Sequence, residues 1–334
     1  MSEQTRVLVT GAGGFIGSHL VTYLKDKGYW VRGVDIKRPE FSESDADEFL
    51  LFDLRRWENC LKATEGINEV YALAADMGGM GFISSHHAQI LYNNSLINLH
   101  TLEASRENGV KRYLYTSSAC IYPEFLQEET DVKPLKEEDA YPAFPQDAYG
   151  WEKLVSERLC HHYREDYGIE TRTVRFHNIF GEKGTWEGGR EKAPAAMCRK
   201  IAMAKLTGDN VIEIWGDGEQ TRSFCYISDC VEGLYRLMRS DFHEPLNLGQ
   251  DRMVTINELA DMVAQIGGIE IEKKHIDGPQ GVRGRNSDNT LLRETLKWEP
   301  AISLEDGLAT TYAWIEEQVR ESLAQNSEKA AQPA

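Results

Sequence analysis

No run of eighteen apolar residues occurs anywhere in the 334-residue chain, which excludes a hydrophobic helix across a bilayer. The opening MSEQTRVLVT is polar and then strand-like, not the basic-then-apolar start of a secretory signal. Cysteine is sparse. Cys60, Cys120, Cys160, Cys198, Cys225 and Cys230 show no C-x-x-C spacing, so neither a zinc site nor a disulfide framework is expected. Reduced thiols in the cytoplasm fit this pattern. Basic residues are also short, 37 Lys and Arg against 54 Asp and Glu, a net charge of −17. That balance argues against a nucleic-acid or anionic-membrane surface. A small anionic substrate stays open, because a local arginine cluster can override the global field. There are no internal repeats.

What is present is ordinary globular composition, 41% hydrophobic and 10% aromatic, in a chain long enough for a sizeable core. The first half alternates strand-like runs (RVLVT, WVRGVD, FLLFDL, EVYALAA, RYLYTSS, ETRTVRF) with amphipathic stretches. FIGSHLVTYLKDKG reads as a helix ending at Gly28, and His87–Gly109 as a long helix. A further helix over Ala148–Tyr167 sets Trp151, Leu154, Val155, Leu159, His162 and Tyr163 on one broad stripe. Such alternation predicts a parallel sheet covered on both faces. Past Phe176 the pattern loosens, and EKGTWEGGREKAP reads as a charged, glycine-rich loop.

VLVTGAGGFIGSHL places Gly11, Gly14 and Gly17 three apart, after a strand and at a helix start. Glycine permits the tight turn and lets a pyrophosphate reach the backbone N–H groups of the helix N-terminus. Asp35 ends the next strand run, where a carboxylate accepts from a ribose 2′-hydroxyl and repels a 2′-phosphate. That favours NAD over NADP, with Lys37 and Arg38 weakening the preference slightly. Asp53, ending FLLFD, is a candidate adenine contact. The fold expected is α/β, a Rossmann-type doubly wound parallel sheet with a smaller C-terminal α/β substrate domain. Residues 1–176 form the NAD-binding domain with a return segment at 226–250. Residues 177–225 and 251–322 form the substrate domain, and 323–334 a flexible tail.

DAYGWEK sets Tyr149 and Lys153 four apart, on one helix face. An ammonium beside a phenol lowers its pKa, so the tyrosine can take a hydroxyl proton as a hydride leaves for nicotinamide. TSSACIYP, just upstream, holds a lone cysteine. Taken by itself, Cys120 reads more as a buried spacer than as a thiol placed to move a proton.

TGAGGFIGSHL, the Ser117–Ser118 strand end, YGWEK and GDGEQTRSFCYISD occur in the order found in the extended short-chain dehydrogenase/reductase superfamily, which the chain resembles over residues 6–320. The resemblance implies that Ser118 hydrogen-bonds the reacting hydroxyl and that Lys153 also holds the nicotinamide ribose. Phe15 and Ile16 join the glycines, Asp35, Asp53, Tyr149 and Lys153 as cofactor contacts. Extended members mostly act on nucleotide-diphosphate sugars, oxidising carbon 4 transiently. Dehydratases of this kind carry acids after the strand-end serine or threonine, where this chain has Ala119 and Cys120. A 4-epimerase needs no further acid/base, and a silent NAD-binding regulator would have a damaged Tyr–Lys pair.

LAADMGGMGFI, SSACIYPEF, GTWEGGREKAPAA and GVRGRNSDN are similar to the GDP-mannose 3,5-epimerases. That resemblance implies a GDP-mannose substrate and a Cys120–Lys192 acid/base pair on opposite faces of a 4-keto sugar. Inverting two centres requires one group to remove a proton and another to supply one from the opposite face. Arg222 and Arg285 would hold the diphosphate through their planar forks. Gly78, Asn178, Glu191, Ala193, Lys200 and Gln220 would be further sugar-nucleotide contacts. A homodimer through His87–Gly109 and Ala148–Tyr167 is implied as well.

Overall fold

The computed structural model describes residues 4–279 and 281–331. β1 (Arg6–Thr10) leads through the glycine loop into α1 (Phe15–Asp26), then β2 (Trp30–Asp35) and β3 (Glu48–Leu51). α2 (Trp57–Thr64), β4 (Glu69–Ala72), the single turn α3 (Met80–Ile83) and the long α4 (His87–Glu107) follow. Next come β5 (Arg112–Ser118), α5 (Ala148–Tyr167) and β6 (Glu170–Phe176). A seventh strand, Pro245–Leu248, lies parallel to β6. The sheet runs Pro245–Leu248, β6, β5, β4, β1, β2, β3, every pair parallel. This is the doubly wound sheet expected. Strand order reverses between β1 and β4, and the crevice at their carboxyl ends is where such sheets take a ligand.

Both faces of the sheet are covered, so its strands are nearly continuous buried runs: all of β4 and all but the first residue of β1. α1 closes one face with Leu20, Val21 and Leu24, each at most 1% exposed. Side chains buried so completely contribute about 1.5–3 kcal/mol each. α5 starts where the Asp147 carboxylate accepts from Gly150 N at 2.8 Å, and stops at Gly168 in the left-handed conformation, φ 73°. Its inward face differs from the expected stripe. Tyr149, Lys153, Ser156, Glu157 and Cys160 turn inward with Leu154, while Trp151 (43% exposed) and Val155 (64%) face outward. The inward polar groups are paired: Glu157 makes an ion pair with Arg175 at 2.7 Å, both nearly fully buried.

Smaller sheets stand beyond β6. Val211–Trp215 pairs with Glu272–Ile276, and Thr221–Ser223 lies between Met253–Thr255 and Gly284–Arg285. α6 (Ala193–Thr207), Ile256–Gly267 and Leu304–Ala331 pack beside them. One apolar core runs from Val7 and Val9 in the main sheet to Ile201 and Ile315 on these helices. The last helix continues through most of the stretch from 323 expected as a flexible tail, and residues 332–334 lie outside those described. Among the described residues no helix is long and apolar enough to cross a membrane.

Candidate active site

The glycine loop is held by contacts that only glycine allows. Gly11 has φ 71°, and a side chain there would meet the Leu73–Ala74 backbone at 3.0 Å. A Cβ on Gly17 would sit 2.1 Å from the Gly11 carbonyl oxygen. Gly13, absent from the expected set, is as constrained: its Cβ would lie 2.1 Å from the Lys37 carbonyl oxygen. Asp35 ties the loop down, its carboxylate accepting from Gly13 N at 3.0 Å and Lys37 N at 3.2 Å. Burial pushes the Asp35 pKa up, against the pull of those two N–H groups. Phe15 and Ile16 open α1, whose Gly14 N-cap supplies no capping side chain. A loop of small residues on uncapped helix N–H groups, with an acid at the next strand end, fits a dinucleotide. The Asp53 carboxylate is turned onto Arg55 (2.8 Å), which holds it below the usual carboxylate range.

The reacting groups gather at the end of β5. Ser118 Oγ accepts from Cys120 N at 3.2 Å, capping the turn Ala119–Ile121. Tyr149 and Lys153 reach the same place from α5. Lys153 Nζ donates to the Thr116 carbonyl at 2.8 Å and lies 5.5 Å over the Tyr149 ring. The expected lowering of the phenol pKa is not found. Burial drives Tyr149 well above its ordinary value, the charges of Cys120, Glu152 and Asp147 add to it, and a hydrogen bond with Ser118 opposes it. Burial likewise lowers Lys153, partly offset by Glu152 and Glu157.

Cys120 is half-buried, whereas the other five cysteines are buried. Its sulfur accepts from Arg285 Nη1 at 3.4 Å and stands within electrostatic reach of Tyr149, Lys153, Lys192 and Arg222. Gly150 lets α5 come this close, since a Cβ there would be 2.2 Å from the Cys120 carbonyl oxygen.

Lys192 is the N-cap residue of α6, its side chain making no capping hydrogen bond, and Ala193 opens that helix. Lys192 keeps accessible surface, yet desolvation lowers its pKa, with Cys120 and Cys230 acting the other way. That combination belongs to an amine on the wall of a cleft. The loop before it is braced on α3. Gly79 N donates to the Arg190 carbonyl at 3.1 Å, and the Arg190 guanidinium lies 3.9 Å over Phe82. A Cβ on Gly78 would crowd Phe82 (2.9 Å) and Arg190 (3.2 Å). Glu191 is engaged within the loop, accepting from Gly189 N and Arg199.

The remaining expected contacts line the smaller sheets. Asn178, with φ 46°, donates to the Ser223 carbonyl, and Lys200 to that of Glu213. Burial lowers Lys200. Gln220 donates to the Trp215 carbonyl, and its Oε1 is buried without a protein partner. Arg222 and Arg285 are register partners on adjacent strands. Arg222 donates to the Thr221 and Val282 carbonyls, and burial together with the charge of Arg285 pushes it down to about 9. A bound anion would relieve that repulsion. Arg285 also donates through Nε to Gln127 Oε1 at 2.5 Å, a partner the sequence did not single out.

A dinucleotide crevice followed by a strand-end serine and a buried Tyr–Lys pair fits an enzyme that moves a hydride between a nicotinamide nucleotide and a hydroxyl group. The chain belongs to the NAD dependent epimerase/dehydratase family, whose profile matches residues 7–249. Within it, the chain is 56% identical over 326 residues to GDP-mannose 3,5-epimerase 1 of Oryza sativa subsp. japonica, covering 97% of this chain and 85% of that one. It is 55% identical over 329 residues to GDP-mannose 3,5-epimerase of Arabidopsis thaliana, covering 98% and 86%. Among solved structures, UDP-glucose 4-epimerase of Thermotoga maritima superposes with a TM-score of 0.82 at 27% identity, over 94% of this chain and all of that one.

Proposed function

We propose that the protein is a GDP-mannose 3,5-epimerase, converting GDP-D-mannose to GDP-L-galactose, with GDP-L-gulose formed when carbon 5 alone is inverted. The observation that carries this is the half-buried Cys120 thiol set within reach of both the Tyr149–Lys153 pair and Lys192, in a chain more than half identical to relatives bearing that name. The Gly11–Gly17 loop, Asp35 and Lys153 would hold NAD, which would supply reversible hydride acceptance at sugar carbon 4 with no net redox. Tyr149, oriented with Ser118, removes and later restores the carbon-4 hydroxyl proton. The ketone at carbon 4 acidifies the C–H bonds at carbons 3 and 5. Cys120 and Lys192 then act from opposite walls, one removing a proton and the other delivering one to the opposite face. Arg222 and Arg285 fit the diphosphate, their adjacent like charges calling for an anion.

The sheets suggest the division of labour. Residues 1–176 with 226–250 would hold NAD, and 177–225 with 251–322 the sugar nucleotide. Exposed Leu91, Tyr92 and Leu99 on α4 and Trp151 and Val155 on α5 support a homodimer through these helices, in the reducing cytoplasm that free cysteines suit. Incubation with GDP-mannose in deuterium oxide without added NAD, followed by proton NMR, tests the reaction. Exchange at carbons 3 and 5 is expected. Exchange only at carbon 5 with loss of the 6-hydroxyl would mean a dehydratase, and none despite bound NAD would sink the epimerase reading.

A further inference from the structure

Gln127 is 1% exposed and follows the short turn Glu124–Leu126. Its amide makes three side-chain hydrogen bonds. Nε2 donates to the carbonyls of Tyr122 and Pro123, both at 3.1 Å, and Oε1 accepts from Arg285 Nε at 2.5 Å. The reverse amide orientation would set oxygen against two carbonyls and NH₂ against an N–H donor, so only one orientation satisfies the site. The Gln127 backbone carbonyl also accepts from Arg283 N and Gly284 N. One buried residue thus joins the Cys120–Leu126 segment to the strand bearing Arg285, 158 positions away. With Nε fixed, the planar guanidinium aims Nη1 at the Cys120 sulfur.

We propose that Gln127 is a positioning residue that holds the Arg285 guanidinium against the Cys120 sulfur. This rests on the reading of Cys120 as a proton carrier only for its catalytic consequence; the contact itself stands apart from it. The guanidinium N–H at 3.4 Å stabilises negative charge on the sulfur, and alkylation runs through that charged form. Tyr149, Lys153, Lys192 and Arg222 also lie within electrostatic reach of the sulfur, and Arg285 donates an N–H to it.

Alkylation by iodoacetamide at one fixed pH, on the NAD-bound protein without substrate, reads the contact. The other five cysteines are buried, so Cys120 should react first. Gln127→Met should slow alkylation roughly fivefold or more, with kcat for carbon-5 exchange falling by a larger factor than KM rises, the KM change reporting the diphosphate contact of Arg285. Arg285→Lys keeps the charge but not the fork, and should slow alkylation similarly. The Gln127→Met/Arg285→Lys double variant should be no slower than the slower single variant, because both remove one contact. Wild-type alkylation rates in Gln127→Met overturn the proposal, as do losses that multiply in the double variant. Should Gln127→Met not fold, an unchanged rate in Arg285→Lys overturns it equally. Full exchange by Cys120→Ala would sink the proton-carrier reading while leaving these alkylation results intact.

Discussion

Gly150→Ala adds a methyl group where the fold already has a carbonyl. The new Cβ would lie 2.2 Å from the Cys120 carbonyl oxygen, 2.9 Å from its carbon and 2.9 Å from Pro145 Cβ. A carbon–oxygen contact normally settles at about 3.3 Å, so α5 and the Cys120 turn must part by about 1 Å. No side-chain rotation relieves this, because the nearest atoms are backbone and a proline ring. Alanine gains at most about 1 kcal/mol of helix propensity over glycine, and overpacking costs about 1–3 kcal/mol. The net effect is destabilisation of up to about 2 kcal/mol. The larger effect falls on chemistry, since the displaced turn carries Ser118 and Cys120 while α5 carries Tyr149 and Lys153. Misplacement of about 1 Å among reacting groups costs on the order of 100-fold in rate. The assay is deuterium incorporation at carbons 3 and 5 beside a thermal melt of the NAD-bound protein. Wild-type exchange together with a wild-type melt would refute the reasoning.

Lys192→Met should keep NAD and GDP-mannose binding yet lose exchange. Because desolvation lowers Lys192, the wild-type rate should depend on its titration below the ordinary lysine value of 10.5, and a pH–rate profile checks this. Asp35→Asn removes the charge proposed to meet the ribose and weakens the acceptor for Gly13 N. It should release NAD faster and narrow the preference over NADP, as measured by fluorescence titration. His177 is fully buried, its pKa lowered to about 3 by desolvation, with Arg285 and Arg175 adding to the effect and Asn247 opposing. The unfolded state therefore binds the proton first, and stability is lost as pH falls from about 6.5 toward 3, about 3 kcal/mol by pH 4. His177→Gln should flatten that part of the curve in urea unfolding, and an unchanged slope would count against it.

Features written within a dozen residues are legible in the sequence. The glycine loop, Asp35, the Tyr149–Lys153 spacing and the parallel strands each have a local signature. What stayed hidden depends on chain segments far apart. Gly13 is constrained by Lys37, Gly150 by Cys120, and Gln127 matters through Arg285. The periodicity of Ala148–Tyr167 found a helix but not its inward face, because that face is largely polar and paired with β5 and β6. Helical spacing placed Lys153 beside Tyr149, but not its bond to the Thr116 carbonyl on β5.

The four stretches similar to the GDP-mannose 3,5-epimerases are scattered from Leu73 to Asn289, and contacts make them two working arms. One arm joins LAADMGGMGFI to GTWEGGREKAPAA, through Gly79 on Arg190 and Arg190 on Phe82, and it presents Lys192. The other joins SSACIYPEF to GVRGRNSDN, through Gln127 and Arg285, and it presents Cys120. The segment carrying each group proposed to move a proton is thus braced from a second, distant segment and not by its own loop alone. A reaction that inverts two carbons needs two acid/base groups held independently, so that delivering a proton from one wall does not displace the other. No single stretch specifies that. The pairing of stretches does, and that is why the signal lay in their co-occurrence.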